Sequence, residues 1–86
     1  MYVTRIKIDF DKRRDVAFSS FVGVNPQAVN AHEEAADIIV YRDSDSSEPV
    51  GLTVMCVKES PHIWKKSLMD LGFGNLIHDF ENAAKL

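Results

Sequence analysis

The sequence predicts an α+β domain, a mainly antiparallel four-stranded sheet with two C-terminal helices packed on one face. Three observations predict it. Apolar residues alternate with polar ones over several short segments in the first two thirds of the chain, the period of a half-buried strand. Polar turns separate those segments. The last third switches to helical spacing behind a Ser-Pro start, and an antiparallel sheet covered by helices is the simplest way to bury both kinds of stripe.

The elements follow in order. Over residues 3–10, Ile6, Ile8 and Phe10 share one face and Arg5, Lys7 and Asp9 the other. Residues 11–15 (Asp-Lys-Arg-Arg-Asp) form a polar turn, and residues 16–22 alternate again, so the two segments read as a hairpin. In the second, Val16, Phe18, Ser20 and Val22 oppose Ala17, Ser19 and Phe21. Residues 23–34 and the Ala35 that follows favour a short helix. Asn25-Pro26 has cap and first-turn chemistry, and Ala28, Ala31, Glu33, Glu34 and Ala35 have helical propensity. An irregular extended crossing is the alternative. Residues 37–42 are a strand around Ile38-Ile39-Val40-Tyr41, and Asp43 to Glu48 is a turn. Residues 50–58 make a strand with Val50, Leu52, Val54 and Cys56 on one face and Gly51, Thr53, Met55 and Val57 on the other. Apolar groups on both faces mark it as central or covered twice. Ser60-Pro61 starts a helix through Leu71, with Ile63, Trp64, Leu68, Met69 and Leu71 as its apolar face. Gly72 stops it, and Asn75 caps a last helix to about Lys85, whose stripe is Leu76, Ile77, Phe80, Ala83 and Ala84.

Residues 5–55 resemble a family of small, uncharacterised bacterial and phage-borne domains of unknown function. The pieces that carry the resemblance are Ile8-Asp9-Phe10-Asp11, Asp15-Val16-Ala17-Phe18, Asp37-Ile38-Ile39-Val40-Tyr41, Asp43-Ser44-Asp45 and Pro49-Val50-Gly51-Leu52-Thr53-Val54. The resemblance implies a β-meander with a helical tail and carries no catalytic residue over. Small mobile-element and phage proteins of this size often act as inhibitors or adaptors, a role the resemblance leaves open to this chain without naming a target.

Composition excludes more than it selects. With 86 residues there is room for one domain. A single cysteine, Cys56, rules out an internal disulfide framework and a Cys-rich zinc site. No apolar run approaches a membrane span, and Met1 to Arg5 leads into no apolar signal core, so a cytoplasmic location is expected. The net charge of -3 is unevenly spread. Arg5, Lys7, Lys12, Arg13 and Arg14 cluster early, interrupted by Asp9, Asp11 and Asp15. Glu33, Glu34, Asp37, Asp43, Asp45 and Glu48 follow, against Arg42 alone. A nucleic-acid partner is not expected from this balance. Opposite blocks of this kind orient partners across a self-association surface.

No catalytic, cofactor or metal residue is expected. Cys56 lies in apolar phase and reads as core rather than nucleophile. His32, His62 and His78 have no i, i+4 partner. The Asp43-x-Asp45-x-Ser47 turn has Glu48 and Val54 where a calcium loop needs Gly and a bidentate Glu. No phosphate-binding glycine motif or nucleophile elbow occurs. The aromatic residues are more informative. Phe10, Phe18 and Trp64 are core candidates. Phe21, Tyr41, Met55 and Val57 fall on the opposite phase and are the candidate interface, because a sheet of this size has too little chain to cover both faces. The expected function is a non-catalytic protein-interaction or assembly module that forms a homodimer. The alternative is a small-molecule binder whose pocket, between sheet and helices, is lined by Phe18, Trp64 and Met55.

Overall fold

The computed structural model describes residues 5–24 and 28–86. Its sheet has five strands, not four: β1 (Ile6–Asp11), β2 (Val16–Phe21), β3 (Val29–Ala35), β4 (Ile38–Asp43) and β5 (Pro49–Met55). All neighbours are antiparallel, in the order β1-β2-β5-β4-β3. Helices α1 (Pro61–Asp70) and α2 (Ile77–Ala84) follow, joined by one 3-10 turn, Gly74–Leu76.

The extra strand corrects the expected helix over 23–35. Its capping pair, Asn25-Pro26, lies outside the described residues, but from Val29 to Ala35 the chain is extended and paired with β4. Those seven residues are almost wholly exposed, so no apolar stripe existed to hold a helix against the core. The open edge of β4 supplies a hydrogen-bond ladder instead, with one register shift between Glu33 and Ala35, and pairing overrides propensity. Two fastenings fix it. The Ala36-Asp37 turn places Asp37 at φ 65, a conformation Asp tolerates better than most residues. From the other end of β4, Arg42 reaches back to donate from Nε to Glu34 Oε2 at 2.7 Å and from Nη2 to Oε1 at 2.9 Å, and donates from Nη1 to the Ser47 carbonyl at 2.9 Å. This fork holds the Glu34 carboxyl below its ordinary value, the hydrogen bond being the larger cause and the guanidinium charge adding to it. A depressed carboxylate contributes stability above its unfolded pKa and loses it as pH falls through the folded one. Urea unfolding of Glu34→Gln should therefore differ from wild type by at most about 1 kcal/mol at pH 6, a gap that closes toward pH 3.

The expected meander is also corrected. β3, β4 and β5 form one, but the β1-β2 hairpin docks on β5, not on β3. By register, the ends Phe21 and Val29 both lie at the Pro49 end of the sheet, so the link between β2 and β3 starts and finishes there.

Both helices lie on one face, α1 toward β4 and α2 over β1 and β2. The core between them and the sheet holds Ala17, Phe21, Ile38, Val40, Leu52, Val54, Val57, Trp64, Leu68, Phe73, Leu76, Phe80 and Ala84, with Ile6, Ile8 and Phe10 packed at its side. Trp64 is wholly buried, meets Phe80 edge-on at 6.0 Å between ring centroids, and donates from Nε1 to the Val57 carbonyl at 2.9 Å. Pro61 begins α1 as expected, although Ser60 makes no side-chain cap. Gly72, at φ 87, ends it. Met69, assigned to its apolar face, is 65% exposed, and Ser67 takes a buried place by donating to the Ala36 carbonyl at 2.7 Å.

A long-range buckle joins the β1-β2 turn to the β5-α1 turn. Asp15 sits at φ 58, and its two carboxylate oxygens accept from the amides of Lys58 (2.8 Å) and Glu59 (3.0 Å). Its own carbonyl accepts from the Val57 amide at 3.2 Å. The arrangement copies a helix N-cap across a sequence gap of more than forty residues. Asp15→Ala should cost about 1–2 kcal/mol in thermal or urea unfolding, and Asp15→Asn less, since one acceptor and the left-handed tolerance survive.

Candidate interaction surface

The face of the sheet away from the helices is built from the alternate residues of each strand. Pairing lays them out in rows. One row reads Asp9, Phe18, Thr53, Ile39, Glu33 from β1 to β3, and the next reads Lys7, Ser20, Gly51, Tyr41, Ala31. Val16 and Met55 stand opposite each other beyond the first row. No described element lies over these groups. The centre is apolar and the edges are charged.

Local packing sets the detail. Tyr41 stands across from Gly51, which has no side chain, and leans one row along so that its hydroxyl bonds to Thr53 Oγ1 at 2.9 Å. That contact, with the half-buried Ile39 alongside, leaves Thr53 only 4% exposed on a face no helix covers. A Cβ on Gly51 would stand 2.6 Å from the Ser19 carbonyl oxygen, which is backbone and cannot swing away. Gly51→Ala should therefore cost about 1–3 kcal/mol by forcing β2 and β5 apart, readable as a lowered urea midpoint. Phe18 is 42% exposed and is the largest of the exposed apolar side chains on the face. Beside it a shallow concavity of about 260 Å³ is lined by Lys7, Asp9, Phe18, Ser19 and Ser20.

Of the four residues expected at an interface, Tyr41 and Met55 are on this face, both half-buried. Phe21 and Val57 are not, and each has a physical reason. Ala17, Ser19 and Phe21 pair with Val54, Leu52 and Ile6 on the helix side, and Phe21 tilts against Phe73 with ring centroids 6.1 Å apart. β2 thus has the opposite phase from that expected. Ser19 takes a core-facing place because its hydroxyl donates to the Leu52 carbonyl at 2.8 Å. Val57 changes sides because β5 ends at Met55 and Cys56 turns left-handed at φ 54, which breaks the alternation and sends Val57 into the core.

The two pocket candidates are separated by the sheet. Phe18 is on the open face and Trp64 is sealed in the core, and Met55 lies with Phe18. No pocket between sheet and helices gathers them. Cys56 is half-buried beyond the end of β5, and burial, with the carboxylates of Asp37, Glu59 and Asp15, pushes its thiol up, away from thiolate. Among the described residues no three His, Cys, Asp or Glu side chains are placed to share a metal, and no helix is long and apolar enough to cross a membrane. Sequence reasoning missed Val16, Ile39, Lys7 and Asp9 as members of the face. Their signal was the alternation itself, once the phase of β2 is known.

Comparison with protein-family models, with curated proteins and with solved structures finds no match.

Proposed function

We propose that this protein is a non-catalytic, cytoplasmic interaction or assembly module that self-associates through the open face of its sheet. The observation that carries the reading is the exposed Phe18 among the half-buried Val16, Met55, Ile39 and Tyr41, which surround Thr53 on a face no described element covers. Charged residues at the rim and apolar ones at the centre are the anatomy of a protein contact. Five strands about 4.8 Å apart and roughly 20 Å long offer on the order of 480 Å² per copy, at or below the small end of stable interfaces. The expected dimer is therefore reversible, with a dissociation constant on the order of micromolar. The resemblance to small bacterial and phage-borne domains supports an adaptor or inhibitor role for the assembled form.

Side-chain oxidation by hydroxyl radicals tests this reading at concentrations above and below dissociation. Phe18 and Met55 should become protected as concentration rises. Met69, exposed on the outer side of α1, is the internal control and should react equally in both. Equal reactivity of Phe18 and Met55 at all concentrations would contradict the reading.

A further inference from the structure

The self-association proposed above can be made geometrically specific. Lys7 pairs with Ser20 across β1 and β2, and one two-residue step along, Asp9 pairs with Phe18. A large exposed ring therefore stands beside an acid, and a small residue with a concavity over it stands beside a base. Knob and hole, and both signs of charge, are adjacent on one patch. Neither Lys7 nor Asp9 has an ion-pair partner within the chain among the described residues. A two-fold contact needs such a self-complementary patch, because residue i meets j of the partner while j meets i.

We infer that two copies pack open face to open face about a two-fold axis that lies across the strands, between the Lys7–Ser20 row and the Asp9–Phe18 row. Each Phe18 ring enters the partner's concavity over Ser20, and each Lys7 faces the partner's Asp9. The same axis sets Thr53 over the partner's Gly51 and Ile39 over the partner's Tyr41. Every exchange along the two rows matches large with small, apolar with apolar, or base with acid, except that Glu33 meets only the neutral Ala31. The sheets then stack as an aligned sandwich with antiparallel strands, a common packing. The competing axis, along the central strand β5, lays each row upon itself. That stacks Asp9 on the partner's Glu33, acid on acid, sets Lys7 against the neutral Ala31, and places over Ser20 not Phe18 but Tyr41, whose hydroxyl is held by Thr53.

Sedimentation equilibrium of the full chain tests the axis. Lys7→Glu and Asp9→Lys should each raise the dissociation constant on the order of tenfold, because each reverses two rim contacts per dimer. The double variant restores both contacts and should return to within about threefold of wild type. Ser20→Phe fills the concavity and should leave only monomer, with circular dichroism unchanged because position 20 is exposed. A dimer in which the double variant is as weak as the singles, or which tolerates Ser20→Phe, overturns this axis and leaves the open-face reading standing. A wild-type chain that stays monomeric overturns both.

Discussion

Replacing Trp64 by alanine is expected to remove much of the folding stability of the domain. The side chain is wholly buried against Phe80, and its indole nitrogen satisfies the Val57 carbonyl. Truncation removes a large apolar body, at about 3–5 kcal/mol, and leaves a buried carbonyl unpaired, at about 1–3 kcal/mol more. A domain of 86 residues has a total stability of roughly 4–13 kcal/mol, so the loss takes much of it. Phenylalanine keeps most of the volume and loses the hydrogen bond, so Trp64→Phe should fold with a lowered urea midpoint. Far-ultraviolet circular dichroism is the readout, because the chain's one tryptophan is itself removed. A Trp64→Ala chain that keeps its midpoint within about 1 kcal/mol of wild type would show that the core does not close on this residue.

Replacing Phe18 by glutamate should have the opposite profile, with little cost to the folded chain and loss of self-association. Phe18 is 42% exposed and makes no part of the helix-side core. Surface changes of this kind alter monomer stability by about 1 kcal/mol or less. In a dimer the same change removes both rings from the contact and buries a carboxylate in the place of each, and should weaken association on the order of a hundredfold or more. Concentration-dependent thermal melting separates the two effects. A dimer's midpoint climbs with concentration by mass action, and a monomer's does not. The wild-type midpoint should climb and that of Phe18→Glu should stay flat, both converging at high dilution. Parallel climbing curves for the two chains would place the contact elsewhere.

Much of the architecture was legible because single residues force local geometry. The strict alternation of Ile6, Ile8 and Phe10 names its own buried face, and all three pack beside the core. Pro61 and Gly72 bracket α1. The parts that were not legible share a cause, since each is decided by a distant partner. In β2, Phe18 and Phe21 lie three apart and so on opposite faces, and the small residues between them favour neither phase. The phase is settled by Phe73, fifty-odd residues later, which waits for Phe21 on the helix side. In β3 the composition is helical, and only the free edge of β4 and the Arg42 fork make it a strand. At Val57 the alternation is broken by one left-handed residue, Cys56, within a turn that Asp15 clamps from the other hairpin.

The candidate site was half legible for the same reason. Tyr41 and Met55 follow from alternation, since each neighbours a core residue, Val40 or Val54, and so points the other way. Phe18 does not follow, because its strand carries two equal claims. Lys7 and Asp9 looked like an ordinary solvated edge until pairing set them beside Phe18 and Ser20. The proposition that this face self-associates now rests on Phe18 in the place expected of Phe21.

Sedimentation equilibrium of the unaltered chain, from about 1 to about 100 µM, tests that proposition most directly. The mass should rise from that of one chain to that of two across the range. A mass that stays at one chain throughout contradicts it.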